Sequence, residues 1–161
     1  MHKLLVSVLL LSIITLALPG CAAWQQKKWL SNHRQNLSKL AASNLSAEQK
    51  LDGLLQDYVV FLKEDLKFVN PVKGVKYVQK YHDQNEAAME KILREAEAWQ
   101  GKLSLTDRLA LGIRVAQKPY LKDAVDLTPK FKRKYKQYAF AAKLAGKLTG
   151  GLFKFAGKDL F

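Results

Sequence analysis

The stretch Ser46-Ala47-Glu48-Gln49-Lys50-Leu51-Asp52-Gly53-Leu54-Leu55-Gln56-Asp57-Tyr58 (SAEQKLDGLLQDY) decides the fold class. It opens with a capping box: the Ser46 hydroxyl can accept from an otherwise unpaired backbone N–H, and the Gln49 side chain can reach back. From Leu51 apolar residues recur every three or four positions, at Leu54, Leu55, Tyr58, Leu62, Leu66 and Val69, until Asn70-Pro71 stops the pattern. That period is the period of one helix face, so a long amphipathic helix is predicted here.

The same pattern continues on either side. Val78, Tyr81, Ala88, Ile92, Ala96 and Trp99 form a second stripe, ended by Gly101. A shorter helix is expected after Ser104, carried by Leu105, Leu109, Ile113 and Ala116 and broken at Lys118-Pro119. Thr128-Pro129 has the form of a cap followed by proline at the first helical position, which predicts a last long helix. Weaker periodicity from Trp29 to Ala42 allows one more helix before the capping box. Alternating strand patterns bounded by turn pairs are missing. The expected fold is all-α, a small bundle of about four to five helices. Residues 31–127 make the bundle and 128–161 a basic amphipathic C-terminal helix.

Charge is uneven along the chain. It has 27 Lys/Arg against 14 Asp/Glu, and between Thr128 and Lys158 there are nine Lys/Arg with no acid. Lys143-Leu144-Ala145-Gly146-Lys147 recurs eleven residues later as Lys154-Phe155-Ala156-Gly157-Lys158, and Lys132 and Lys136 hold the same lysine positions one period earlier. Eleven residues are close to three helical turns. Lys132, Lys136, Lys143, Lys147, Lys154 and Lys158 are therefore expected along one ridge, opposite Phe131, Tyr135, Tyr138 and Leu152. Such a helix suits two roles. Its apolar side can close the bundle and leave the lysines in water, or the whole helix can lie on an anionic surface.

The N-terminal residues give an address. After His2-Lys3, the 15 residues Leu4 to Leu18 are apolar except for Ser7, Ser12 and Thr15, and Pro19-Gly20-Cys21 follows. The run is short for a bilayer span and has the proportions of a secretory signal peptide. Leu18, Gly20 and Cys21 resemble the lipobox of bacterial lipoproteins, with Pro19 where alanine or serine is usual. This resemblance covers residues 1–21. It implies removal of residues 1–20 and acylation of Cys21, with diacylglycerol on sulfur and an acyl chain such as palmitate on the new amino end. Ala22, where an aspartate would signal inner-membrane retention, implies the outer membrane in a Gram-negative cell. Residues 21–30 would then be a membrane-proximal tether, with Trp24 and Trp29 at headgroup level and Lys27 and Lys28 toward anionic lipid. Cys21 is the sole cysteine, so no internal disulfide can form.

No reaction can be read from the residues. His33 stands in a polar stretch without an identifiable partner. His82, Glu86 and Glu90 share a helical face, which favours surface pairing over a metal site. Glu64/Asp65 and Glu95/Glu97 are expected to be exposed helix charges, since near neighbours on a helix do not converge. A nucleophile elbow and a phosphate loop are both missing. The expected protein is non-enzymatic, lipid-anchored in the cell envelope, and without cofactor or metal. Its expected contact is anionic phospholipid, lipopolysaccharide or cell wall, through the lysine ridge. The alternative is an accessory subunit or immunity-type partner of an envelope complex, binding protein through the bundle. The compartment and the lack of a reading motif argue against nucleic acid.

Overall fold

The computed structural model describes residues 23–138. Among these residues there are five helices and no strands, an all-α bundle. The first helix, α1, covers 23–42. It is followed by α2 (Ala47–Asp65), α3 (Pro71–Gln100), α4 (Leu105–Ala116) and α5 (Pro119–Lys134). No described helix is long and apolar enough to cross a membrane.

The capping box forms as its residues dictate. Gln49 N donates to Ser46 Oγ at 3.2 Å, and Ser46 N to Gln49 Oε1 at 3.0 Å. The helix it opens is the centre of the molecule. α2 packs on α3 and α5, and its Leu51, Leu54, Leu55, Tyr58, Phe61 and Leu62 join the core. Leu30, Leu37 and Ala41, at helical spacing on α1, close a third side of it. Phe61 is the hub, with its ring 4.0 Å from that of Tyr81 and 5.6 Å from that of Tyr77, both nearly parallel to it. Among the described residues, the core cluster of buried residues runs from Leu30 to Tyr135.

Several boundaries differ from the sequence expectation. α2 ends at Asp65, and Val69 stands 96% exposed in the following loop. Asn70-Pro71 starts α3, with Asn70 Oδ1 accepting from Val72 N at 2.9 Å and proline at the first position, where a missing N–H costs nothing. Thr128-Pro129 does not open a helix. α5 begins ten residues earlier, at Lys118-Pro119, and the Thr128 hydroxyl bonds back to Ala124 O at 2.6 Å within it. Phe131 and Tyr135, fully buried, hold α5 against α2 past the interior proline. α5 stops at Lys134, with Tyr135 as its cap, so Lys132 and Lys136 do not lie on one unbroken helix.

α4 is turned over relative to expectation. Leu105, Leu109 and Ile113 are 75%, 64% and 60% exposed, while Leu111, Gly112 and Val115 are buried. At 100° per residue the two apolar stripes fall on nearly opposite faces, and the shorter one is the one that packs.

At Gly74 the side chain of Tyr135, the cap of α5, reaches α3. A Cβ there would overlap the Tyr135 hydroxyl, which Asp65 Oδ1 fixes at 2.7 Å. Gly74→Ala is expected to cost about 1–3 kcal/mol, as overpacking does. Gly101→Ala meets nothing closer than 3.5 Å at φ −59°, and is expected to be neutral or to stabilise by up to about 1 kcal/mol. Urea midpoints followed by circular dichroism check both; equal values would mean that α5 does not seat against α3 in this way.

Candidate functional site

Two features of the described residues carry unusual physical chemistry: a buried ion cluster at the heart of the bundle, and the end of the bundle beside it.

The cluster overturns two expectations. His33 is buried, not partnerless, because α1 presents it to the same side as Leu30 and Leu37. Its Nδ1 donates to Asp57 Oδ2 at 2.8 Å and its Nε2 to Glu64 Oε2 at 2.8 Å, both from α2. Tyr81 OH donates to Asp57 Oδ2 at 3.1 Å, and Tyr77 OH donates to Glu64 Oε2. Glu64 and Asp65 are buried rather than exposed. Neighbours on a helix diverge by 100°, and α2 has partners on both sides. Glu64 therefore turns to α1 and α3, and Asp65 to α5, where Tyr135 OH at 2.7 Å and Lys134 Nζ at 3.2 Å bond its carboxylate.

Electrostatics follow from this geometry. Burial works against a charged His33, but the hydrogen bonds and charges of Asp57 and Glu64 override it and push its pKa up to about 9. With a carboxylate on each ring nitrogen both must carry protons, so the imidazolium has no lone pair for a base or a metal. Burial, then the neighbouring Glu64 and Asp57, drives the Tyr77 and Tyr81 hydroxyls well above the ordinary phenol range and keeps them donors. Burial raises the Asp65 pKa and lowers that of Lys134, and their mutual attraction opposes both shifts. A groove of about 590 Å³ between α1 and α2, lined by Asn32, Asn36, Leu40 and Gln56, reaches the edges of His33, Asp57 and Glu64.

His82 lies 3.7 Å from Asp83 and 3.8 Å from Glu86, while Glu90 bonds Arg94 at 2.8 Å. Among the described residues no group of three or more His, Cys, Asp or Glu is placed to hold a metal ion. Glu95 bonds Lys50 at 2.7 Å, and Glu97 is exposed.

At the other feature the chain both enters and leaves. Trp29, near the start of α1, packs its ring 6.0 Å from Phe68 and 6.3 Å from Tyr77, so it belongs to the bundle rather than to a tether. Lys134 sits over the Phe68 ring at 5.8 Å, and Lys67 over Trp29 at 4.9 Å. The start of α1, the α2–α3 loop and the end of α5 therefore meet at one end. Lys27 and Lys28, Lys67, Lys73 and Lys76, and Lys132, Arg133 and Lys136 are all exposed there. Segments 23–47, 66–82 and 127–138 contain no Asp or Glu. The opposite end mixes signs, with Arg114 paired to Glu48 at 3.2 Å and Lys118 to Asp52 at 3.3 Å. Of the expected site residues, Lys132 and Lys136 lie on this basic end. Leu18, Gly20, Cys21, Lys143, Lys147, Lys154 and Lys158 lie outside the described residues. Lys67, Lys73, Lys76 and Arg133 were missed; the acid-free runs around them were the available signal.

The cluster makes a pH prediction. His33 binds its proton more tightly folded (about 9) than unfolded (about 6.5), so its stabilisation, of order 3 kcal/mol, is complete below pH 6.5 and lost as pH rises through 9. Nitrogen NMR of the ring should show both nitrogens protonated at pH 7.5, with a midpoint near 9; a midpoint near 6.5 would remove the clamp. No family model matches the chain, and no curated protein or solved structure is similar to it.

Proposed function

We propose that this is a lipid-anchored, non-enzymatic protein of the cell envelope, held at Cys21 after removal of residues 1–20, which contacts an anionic surface with its basic end. The single observation that supports this is the shared location of entry and exit. Cys21 lies two residues before Ala23, a reach of at most about 7 Å, and the tail bearing Lys143, Lys147, Lys154 and Lys158 follows Tyr138. Both leave from the end where the exposed charges are positive. An acyl anchor on Cys21 therefore presses that end against a membrane, the outer membrane in a Gram-negative cell, where each lysine near anionic lipid contributes about 1 kcal/mol. Phospholipid, lipopolysaccharide phosphates and acidic cell-wall groups share the chemistry required.

The exposed stripe of Leu105, Leu109 and Ile113 favours a second role beside the first. It sits with α4 toward the mixed-charge end and suits a protein partner in an envelope complex, since apolar faces of this kind mark contact sites.

Cys21→Ser in the full chain is expected to abolish labelling by radioactive palmitate and to leave the leader uncleaved. Retained labelling would end the lipoprotein assignment. The unlipidated 22–161 chain should sediment with anionic but not neutral vesicles, and should lose at least tenfold in affinity between low and high salt. Changing Lys143, Lys147, Lys154 and Lys158 to glutamine should weaken it further; salt-independent binding would exclude charge as the mechanism.

A further inference from the structure

The α2–α3 loop, taken with the first turn of α3, is Lys67-Phe68-Val69-Asn70-Pro71-Val72-Lys73, two valines between lysines. Its tip is apolar and almost bare. Val69 is 96% exposed and Val72 54%, and Trp24, on the first turn of α1 at the same end of the bundle, is 65% exposed. A single exposed valine is ordinary. Here the loop is also fixed in place. Phe68 is wedged between Trp29 and Tyr77, with ring centroids 6.0 Å and 5.3 Å away. Asn70 caps α3, and Pro71 sets its first turn. The valines thus project from a rigid corner, and the charges around them are lysines.

An apolar tip ringed by cations at a bundle end suits a water–lipid interface, where small apolar and indole side chains enter the headgroup–acyl boundary and lysines stay with phosphates. A protein partner for such a tip would need a matching apolar socket. A bilayer needs only anionic headgroups, and the acyl chain proposed on Cys21 places one within reach. We propose that the α2–α3 loop is the bilayer-docking tip of this protein. Val69 and Val72 sit in the boundary region of an anionic phospholipid leaflet, Lys67 and Lys73 sit on its phosphates, and the Leu105/Leu109/Ile113 face of α4 is carried away from the membrane. This rests on the anionic-surface function above, and adds which residues meet lipid and how the domain is turned.

The 22–161 chain contains no cysteine and retains the whole described core, so single labels are clean. An environment-sensitive dye would be placed on V69C and, separately, on L109C, both exposed sites, with folding checked by circular dichroism. Vesicles of phosphatidylcholine with and without phosphatidylglycerol are then added. The V69C dye is expected to shift to the blue and be quenched by lipid-borne quencher with phosphatidylglycerol only, while the L109C dye stays in water. K67Q/K73Q should weaken binding roughly 25-fold, at about fivefold per lysine. A chain that sediments with the vesicles while the V69C dye stays in water overturns the docking tip and leaves the charged contact standing. A shift at L109C instead overturns the orientation. No sedimentation by any folded form takes down the surface function together with the tip.

Discussion

The rest of the bundle hangs on an imidazolium clamped between two carboxylates. α1 is a polar helix that buries Leu30, His33, Leu37 and Ala41 in the core and packs Trp29 and Leu40 against it. Without His33, Asp57 and Glu64 would be left as buried acids with only tyrosine donors, and an uncompensated buried charge costs several kcal/mol. The same two carboxylates accept from Tyr81 and Tyr77 of α3, so α1, α2 and α3 meet on shared oxygens. Asp65 repeats the device one residue along, binding α5 through Tyr135 and Lys134. Buried ion pairs seldom stabilise more than well-packed apolar side chains would. What they add is register: a leucine face tolerates sliding by a turn, whereas a two-nitrogen ring between two fixed carboxylates does not.

This division explains how much could be read from the sequence. Elements were legible where the signal is local. The capping box at Ser46, the cap at Ser104, the stop at Gly101 and the stripe Val78–Ala96 each lie within a few turns, and each forms. The clamp was illegible because its parts stand 24 and 31 residues apart, and a histidine among Ser31, Asn32, Arg34 and Gln35 carries no mark of burial. Glu64-Asp65 misled for a related reason. Adjacent acids on a helix are exposed when one face packs, and α2 packs on more than one. Two proline signals competed for the start of α5; Lys118-Pro119 prevailed, because an early start lets Phe131 and Tyr135 reach the core. On α4 the longer apolar stripe, Leu105/Leu109/Ile113, marks the helix but faces water. Periodicity identifies a face but not its partner.

The basic end was half legible. Its lysines on α5 and at the start of α1 stood out in the sequence, but Lys67, Lys73 and Lys76 join them only through antiparallel packing of α1, α2 and α3 and the return of α5 alongside α2. α2 and α5 run to that end and stop there, while the 30-residue α3 starts there and overshoots α2 at the other end by about 16 Å. The charge separation is therefore a property of the topology.

The clamp and the basic end are also linked by charge. The acids nearest that end are Glu64 and Asp65, and both are turned inward. One is taken by His33 and Tyr77, the other by Lys134 and Tyr135. Had either faced water, it would have paired with Lys67, Lys73 or Arg133 and weakened the outward field. By drawing its acids into the core to fix helix register, the bundle leaves the exterior of this end, among the described residues, with exposed cations alone. Charges facing water over a low-dielectric interior project their field outward. The packing that fixes the fold thus also produces the surface on which the proposed membrane contact depends.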